Sequence, residues 1–215
     1  MARSSSTADP GTTRRSYRSP RREQQAAQTR EALVDAATRL FLAHGWAGTA
    51  MRDIASEAGV ATETIYTHFA SKADLLQAAI DVAVVGDDAP VAVADRPEFA
   101  ALGQGSRAER LAAAARVTSG INQRTAGFAR VLREAAPTDE TIAASLTATK
   151  ARQHADVASG ATLVLGRAPT TTEVDAIWAL ISVEVYFLLV EDSGWSIEQY
   201  EAWLAATLDA VVPKA

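Results

Sequence analysis

Residues 50–69 read AMRDIASEAGVATETIYTHF and crowd Thr62, Glu63, Thr64 and Thr67 into one short run. Hydroxyl and carboxylate groups of this kind hydrogen-bond to base edges and, through the hydroxyls, to phosphate oxygens. A short helix can present them to a groove only if its neighbours hold it in place. The same stretch supplies what such a hold requires. Ile54 and Ala55 give a buried face and a close approach, Gly59 gives a left-handed turn, and Val60 and Ile65 anchor the following helix. Ala61, Thr62, Glu63, Thr64 and Thr67 are then left to face outward. The pattern is that of a helix-turn-helix.

The flanking elements follow from apolar spacing. Leu33, Ala36, Ala37, Leu40 and Phe41 form a helical stripe within residues 24–44, and Gly45 is a stop signal. Residues 51–58 make a second helix with Thr49 as the expected N-cap, and residues 62–68 make a third. Ser71 and Asp74 have capping-box spacing ahead of Leu75, Leu76, Ala79, Ile80 and Ala83. Residues 86–106 hold two prolines and three glycines and predict a loop or broken helix. Helical patterns return over 111–121, 128–135 and 140–159, with Pro137 and Gly160 as breaks. Two more helices follow, over about 172–191 (Thr172 and Asp175 in capping spacing) and 196–212 (Ser196 and Gln199). No period-2 alternation predicts a strand. The chain reads as all-α, with about nine helices.

Composition narrows the function. The chain has 215 residues and no cysteine, so disulfide and thiolate chemistry are excluded. His44, His68 and His154 match no metal spacing, and no cofactor is expected. There is no phosphate-cradling glycine loop and no nucleophile motif, which argues against an enzyme. Residues 1–72 carry ten Arg/Lys against seven Asp/Glu, a net of +3, whereas residues 73–215 carry eleven against nineteen, a net of −8. That asymmetry points to a polyanionic partner at one end only. Residues 1–23, with six arginines from Arg3 to Arg22, form an expected disordered arm that either follows DNA or is simply solvated. No secretory signal is present. The longest apolar run, residues 176–190, is too short to span a bilayer and includes Glu184, so a cytoplasmic protein with no membrane partner is expected.

At residues 39–80 the landmarks Phe41, Gly45, Thr49, Ile54-Ala55, Ala58-Gly59-Val60, Ile65-Tyr66, His68-Phe69, Ser71-Lys72 and Leu75-Leu76 fall together. In this combination the stretch resembles the DNA-binding domain of the TetR family of bacterial transcription regulators, over about residues 26–82. The resemblance implies that Thr49 and Arg52 contact phosphates and that Ala61, Thr62, Glu63, Thr64 and Thr67 lie near base edges. It implies further that Tyr66, His68 and Lys72 contact backbone phosphates. Read from the residues alone, Tyr66 and Phe69 are core packers, with only the Tyr66 hydroxyl reaching out, and His68 is a helix cap. The family often has two adjacent Ser/Thr where this chain has Thr49-Ala50, and a small residue where it has Glu63. Glu63 either accepts from a cytosine amine or turns to solvent.

The implied organisation is an arm (1–23), a DNA-binding domain (24–82) and an effector-binding and dimerisation domain (83–215). The resemblance implies a homodimer formed by the last two helices, with Ile181, Val185, Leu188, Trp203 and Leu204 as candidate interface residues. Phe99, Asn122, Phe128, His154, Trp178 and Tyr186 are candidates to line an effector pocket. Glu184 is placed to bind a cationic effector or to bond across an interface. The function expected is that of a repressor released from a palindromic operator by a small molecule. The alternatives are a DNA-binding activator and a small-molecule carrier with a vestigial helix-turn-helix.

Overall fold

A computed structural model describes residues 20–86 and 97–212. Among these residues there are helices and no strands, as the sequence predicts. Helix α1 (Pro20–His44) ends at Gly45, whose φ of +67° is the left-handed cap the sequence signals. Helices α2 (Met51–Glu57) and α3 (Thr62–His68) follow, then α4 (Lys72–Val85). A single turn α5 (Pro97–Ala100) and a 3-10 turn lead into α6 (Arg107–Ala135) and α7 (Glu140–Leu165). Helices α8 (Thr171–Ile181) and α9 (Val183–Tyr186), a π-helical turn (Phe187–Asp192) and α10 (Ile197–Val211) complete the order. Apart from the single turn α5, there are nine α-helices among the described residues.

Several boundaries differ from expectation. Helix α1 begins at Pro20, so residues 20–23 of the expected disordered arm are helical, and the rest of the arm lies outside the described residues. Proline is well suited to a first helical position, where its missing N–H costs nothing. Helix α6 is continuous where two pieces were expected, and α7 runs through Gly160 to a left-handed Gly166. Gly160 lies within the helix and lacks the positive φ by which Gly45 and Gly166 end theirs. The helix expected over 172–191 is interrupted at Ser182, which adopts extended torsions (φ −60°, ψ 149°). Its hydroxyl there accepts from Val185 N and donates to Ala179 O, so both broken ends are satisfied. The cap of α8 is Thr170 with Glu173, two residues before the expected Thr172 and Asp175. The Ser196–Gln199 capping box forms as the sequence predicts.

Two apolar cores result. The first joins Leu33, Ala37 and Phe41 of α1 with Ile54, Ile65, Leu75 and Leu76, and continues into Phe128, Val131 and Leu132 of α6 and Ile142 of α7. The second gathers Leu111, Val164, Tyr186, Tyr200, Leu204 and Leu208. Helices α6 and α7 contribute to both cores, so they connect the helix-turn-helix to the rest of the molecule. Among the described residues no helix is long and apolar enough to cross a membrane.

The cap of α8 carries a pH signature. The Arg167 guanidinium, and secondarily the Thr170 N–H, hold the Glu173 carboxyl down at about 2, against its ordinary 4.5. A lowered folded-state pKa gives stability that is present above the unfolded value and lost as pH falls through the folded one. Urea unfolding midpoints of the wild type and Glu173→Gln should therefore differ at neutral pH and converge as the pH approaches 2.

Candidate nucleic-acid interface

The turn between α2 and α3 is built by Gly59. With φ at +71°, it brings the Gly59 N–H to Ser56 O (3.1 Å) and the Val60 N–H to Ala55 O (2.9 Å). These two bonds are the Schellman pair that satisfies the last carbonyls of a helix. Val60 then packs partly buried against the first core, and Ile65, fully buried, fixes α3 one turn later. Neither α2 nor α3, at seven residues each, is long enough to be stable alone, so their placement depends on these contacts.

The outer face of α3 carries the residues expected there. Ala61, Thr62, Glu63 and Thr67 are exposed and Thr64 is half-buried. The Thr67 hydroxyl donates to Thr64 O (2.7 Å), whereas the Thr62 and Glu63 side chains have no partner among the described residues. Tyr66 is 56% exposed, which corrects its reading as a core packer; Phe69 is the aromatic that goes inside, with Arg30 of α1 over its ring. The 100° step per residue puts Ile65 inward and turns Tyr66 out. His68 is half-buried, with no side-chain partner among the described residues. Arg52 is exposed and touches Asp53 at 3.3 Å. A shallow depression at this surface is lined by Thr49, Ala50, Arg52, Thr62, Tyr66 and Lys72, among others.

Thr49 and Lys72 differ from their expected roles. Thr49 is only 3% exposed, and its hydroxyl lies within hydrogen-bond distance of Leu40 O (3.1 Å) and Gly45 O (2.9 Å). It therefore caps the end of α1 rather than the start of α2, whose N-cap position is Ala50, without a side-chain bond. Turned toward carbonyls of its own chain, the hydroxyl has no donor to spare for a phosphate. The Lys72 ammonium donates to Trp46 O (2.8 Å) and Thr49 O (3.0 Å) and lies 3.9 Å from the Trp46 ring centroid. Partial burial lowers its pKa, while the charge of Asp139 works the other way. Lys72 thus ties the start of α4 to the α1–α2 turn, with one N–H left for an outside acceptor.

Sequence reasoning missed Trp46 and Asp139. The Trp46 indole N–H donates to Asp139 Oδ2 (2.9 Å), and its ring stacks on Phe41 at 5.9 Å. Asp139 Oδ1 accepts the N–H groups of Thr141 (3.0 Å) and Ile142 (3.1 Å), capping α7. An Asp just after a Pro-Thr turn signals such a cap; no local signal pairs it with a residue 93 positions away.

The six pocket candidates do not share one cavity. Phe128 belongs to the first core, packed with α1–α4, because the long α6 passes through both cores. Phe99 packs at the edge of the second core. His154 bonds Asp175 (2.8 Å) and meets Trp178 edge-on, forming a separate α7–α8 contact. Asn122 and Tyr186 do converge. The Asn122 amide donates to Ile181 O (3.1 Å) and to the Tyr200 hydroxyl (3.2 Å), and Tyr186 meets the Tyr200 ring edge-on at 5.5 Å. Among the interface candidates, Ile181, Val185 and Trp203 are half-buried and Leu188 is 59% exposed. Leu204 is fully buried inside its own chain, because α10 turns Tyr200, Leu204 and Leu208 onto α6. Glu184 pairs with Arg133 of α6, so its charge is already answered within the chain.

Because α3 leans on one side chain, Ile65→Ala should lower stability by about 2–5 kcal/mol, the usual range for a fully buried aliphatic. Gly59→Ala meets no atom within 4 Å of the added Cβ, so it should cost only the left-handed torsion, about 1 kcal/mol. Urea unfolding of the two variants checks that order; equal losses would show that Ile65 is not the anchor.

Residues 33–79 match the model of the bacterial regulatory proteins of the tetR family. Over 61 residues the chain is 44% identical to the HTH-type transcriptional regulator TtgR of Pseudomonas putida, spanning 28% of this chain and 29% of that one. It is 43% identical over 53 residues to AcrR of Shigella flexneri, again an HTH-type regulator, spanning 25% of each. The matched stretch is thus less than a third of the length of these curated relatives. Similarity of fold reaches much further. A candidate TetR-family transcriptional regulator from Rhodococcus sp. superposes with a TM-score of 0.66 at 20% identity, covering 87% of this chain and 100% of that one. Over its helix-turn-helix segment the chain is thus similar in sequence to the tetR family of bacterial regulatory proteins, and its described helices share the fold of the Rhodococcus structure.

Proposed function

We propose that the protein is a transcriptional repressor that grips an operator with α3 and is released by a small molecule bound among its C-terminal helices. The observation that carries the DNA-binding half is the outer face of α3. Thr62, Glu63 and Tyr66 project from a rigidly turned helix, exposed and without partners among the described residues. Thr62, Thr67 and Glu63 meet base edges, with Ala61 and Thr64 beside them. Arg52, the Tyr66 hydroxyl, His68 and the remaining Lys72 N–H meet phosphates. The Arg-rich arm adds phosphate contacts beyond α1.

The dimer reading rests on α8. Only Val174 of its eleven residues is buried, although Ile177, Leu180 and Ile181 are apolar. With Leu188 exposed and Trp203 half-buried, they offer a face for a second copy, which would set two α3 helices on two half-sites. The effector reading rests on unsatisfied polar atoms in the second core. The Asn122 Oδ1 and the hydroxyl protons of Tyr186 and Tyr200 have no partner among the described residues, although all three side chains are at least nine-tenths buried. Orphaned buried polar groups call for water or a ligand. A ligand that prefers the form with mis-spaced α3 helices would lower operator affinity by shifting the population. No nucleophile or cofactor step enters this reading, which is that of a binding protein and not an enzyme.

A mobility-shift assay with the DNA flanking the protein's own gene tests the proposal. Sequence-specific binding that weakens steeply with salt is expected; absence of binding at every salt concentration would sink it. Thr62→Ala and Glu63→Ala should change sequence preference at one position each, by about 1–3 kcal/mol, whereas Arg52→Ala should weaken all sequences alike. Ile181→Glu should shift the sedimentation coefficient from dimer to monomer and reduce operator affinity.

A further inference from the structure

Helix α7 is a rod between the two cores. Ile142, at its start, is fully buried in the first, and Val164, near its end, is buried in the second, about 33 Å away at 1.5 Å per residue. At the start of that rod a single carboxylate faces two ways. Asp139 Oδ1 holds the first turn of α7 through the Thr141 and Ile142 N–H groups, and Oδ2 holds the indole of Trp46. Trp46 in turn holds Lys72 with its carbonyl and with its ring face, and Lys72 also takes the Thr49 carbonyl, one residue before the N-cap of α2.

We propose that Asp139 and Trp46 are positioning residues for DNA binding, fixing the start of α2 to the start of α7 so that a displacement of α7 is passed to the helix-turn-helix. This rests on the DNA-binding reading above and adds to it a named route. Neither residue needs to touch DNA. The contacts form an unbroken series of bonds of 3.0 Å or less, from Asp139 to Trp46 to Lys72 to Thr49. A shift of α7 by one ångström must therefore break the indole bond or carry Trp46 with it. The other attachments of the turn lead back into the DNA-binding head. Thr49 bonds to α1 and its Gly45 cap, Trp46 stacks on Phe41, and Lys72 starts α4. Among the described residues, Asp139 is the turn's hydrogen-bonding partner outside that head. The Asp139 carboxyl is held below the usual carboxylate range, first by the Ile142 N–H and then by the indole, so it stays ionised at neutral pH.

Two substitutions separate this role from plain capping. Asp139→Asn keeps an oxygen for the N-cap, where Asn and Asp are equivalent, but turns an amide NH2 toward the indole N–H. Trp46→Phe keeps a smaller aromatic ring against Phe41 and Lys72 and deletes the indole donor. Each should weaken binding of the full-length protein to a duplex it has selected from a random-sequence pool by about two- to tenfold, the span of one hydrogen bond's net contribution. The double variant should lose no more than either single one, because both break the same bond. Hydrogen exchange on the free protein gives a readout without DNA. Amides of α2 should exchange faster by a similar factor in both variants and remain unchanged in Thr170→Ala, which removes a cap elsewhere. Additive losses, or α2 exchange equal to wild type, would overturn the inference. Failure to select any duplex would sink the DNA-binding reading instead, and the exchange measurement would still decide the link.

Discussion

Helices of seven residues cannot hold themselves in water, and this chain builds its helix-turn-helix from two of them. Everything around α2 and α3 answers that constraint. Ile54, Ala55 and Ile65 are fully buried, giving each short helix an anchor in the first core. The Schellman bonds through Gly59 fix the angle between them without using any side chain. The outward residues are thereby relieved of structural duty, and among the described residues Thr62, Glu63 and Tyr66 have no side-chain partner. A recognition face has to be costly in this sense: its polar groups give up intramolecular bonds in order to be free for a partner.

The same constraint explains the long helices. A head of four helices, two of them seven residues long, has a small core, and α6 and α7 extend into it with Phe128, Leu132 and Ile142. Once they do, the head and the C-terminal helices are no longer mechanically independent. The polar link at Asp139 and Trp46 sits where that dependence is most direct, at the end of α7 that borders the α1–α2 turn. Packing transmits displacement in steps rather than continuously, because interiors are as dense as organic crystals. A directional hydrogen bond on top of packing adds a definite register to that transmission.

Local chemistry made much of this legible in the sequence. Gly45 and Gly59 stop helices for a reason that lies within three residues, and Ser71 and Ser196 cap by the same short-range geometry. The stripe Leu33, Ala37, Phe41 needs only the helical period. What escaped was decided by distant partners. Thr49 and Lys72 have the right types for phosphate contact, yet both turn toward carbonyls of the α1–α2 region. Gly160 has the type of a stop and continues a helix, whereas Ser182, which has no strong signal, interrupts one. Leu204 looked like interface and is core, because α10 rotates it onto α6, which no stripe on α10 alone can reveal.

On the proposed reading, the inward turn of Thr49 and Lys72 narrows the groups left to meet DNA. With two of three Lys72 donors held by Trp46 and Thr49 carbonyls, the ammonium acts first as a strut and only then as a charge. Its burial disfavours the charged form, and the nearby Asp139 carboxylate opposes that loss, so the strut is itself an electrostatic compromise between α4 and α7. A phosphate approaching the depression between Arg52, Thr62 and Tyr66 would meet the exposed Arg52 guanidinium, itself 3.3 Å from Asp53 Oδ1, and a partly screened Lys72. Arg52 is then the main local source of attraction. The net +3 of the first 72 residues comes entirely from the arm, whose six arginines face only Asp9 and Glu23, because residues 24–72 carry four Arg/Lys against five Asp/Glu; on the proposed reading the arm would supply the longer-ranged field. On the proposed reading base discrimination is left to α3, where Glu63 is the carboxylate among the proposed base contacts. Repulsion from the backbone is acceptable there only if the carboxylate points into the groove, toward a base amine, rather than along the phosphates.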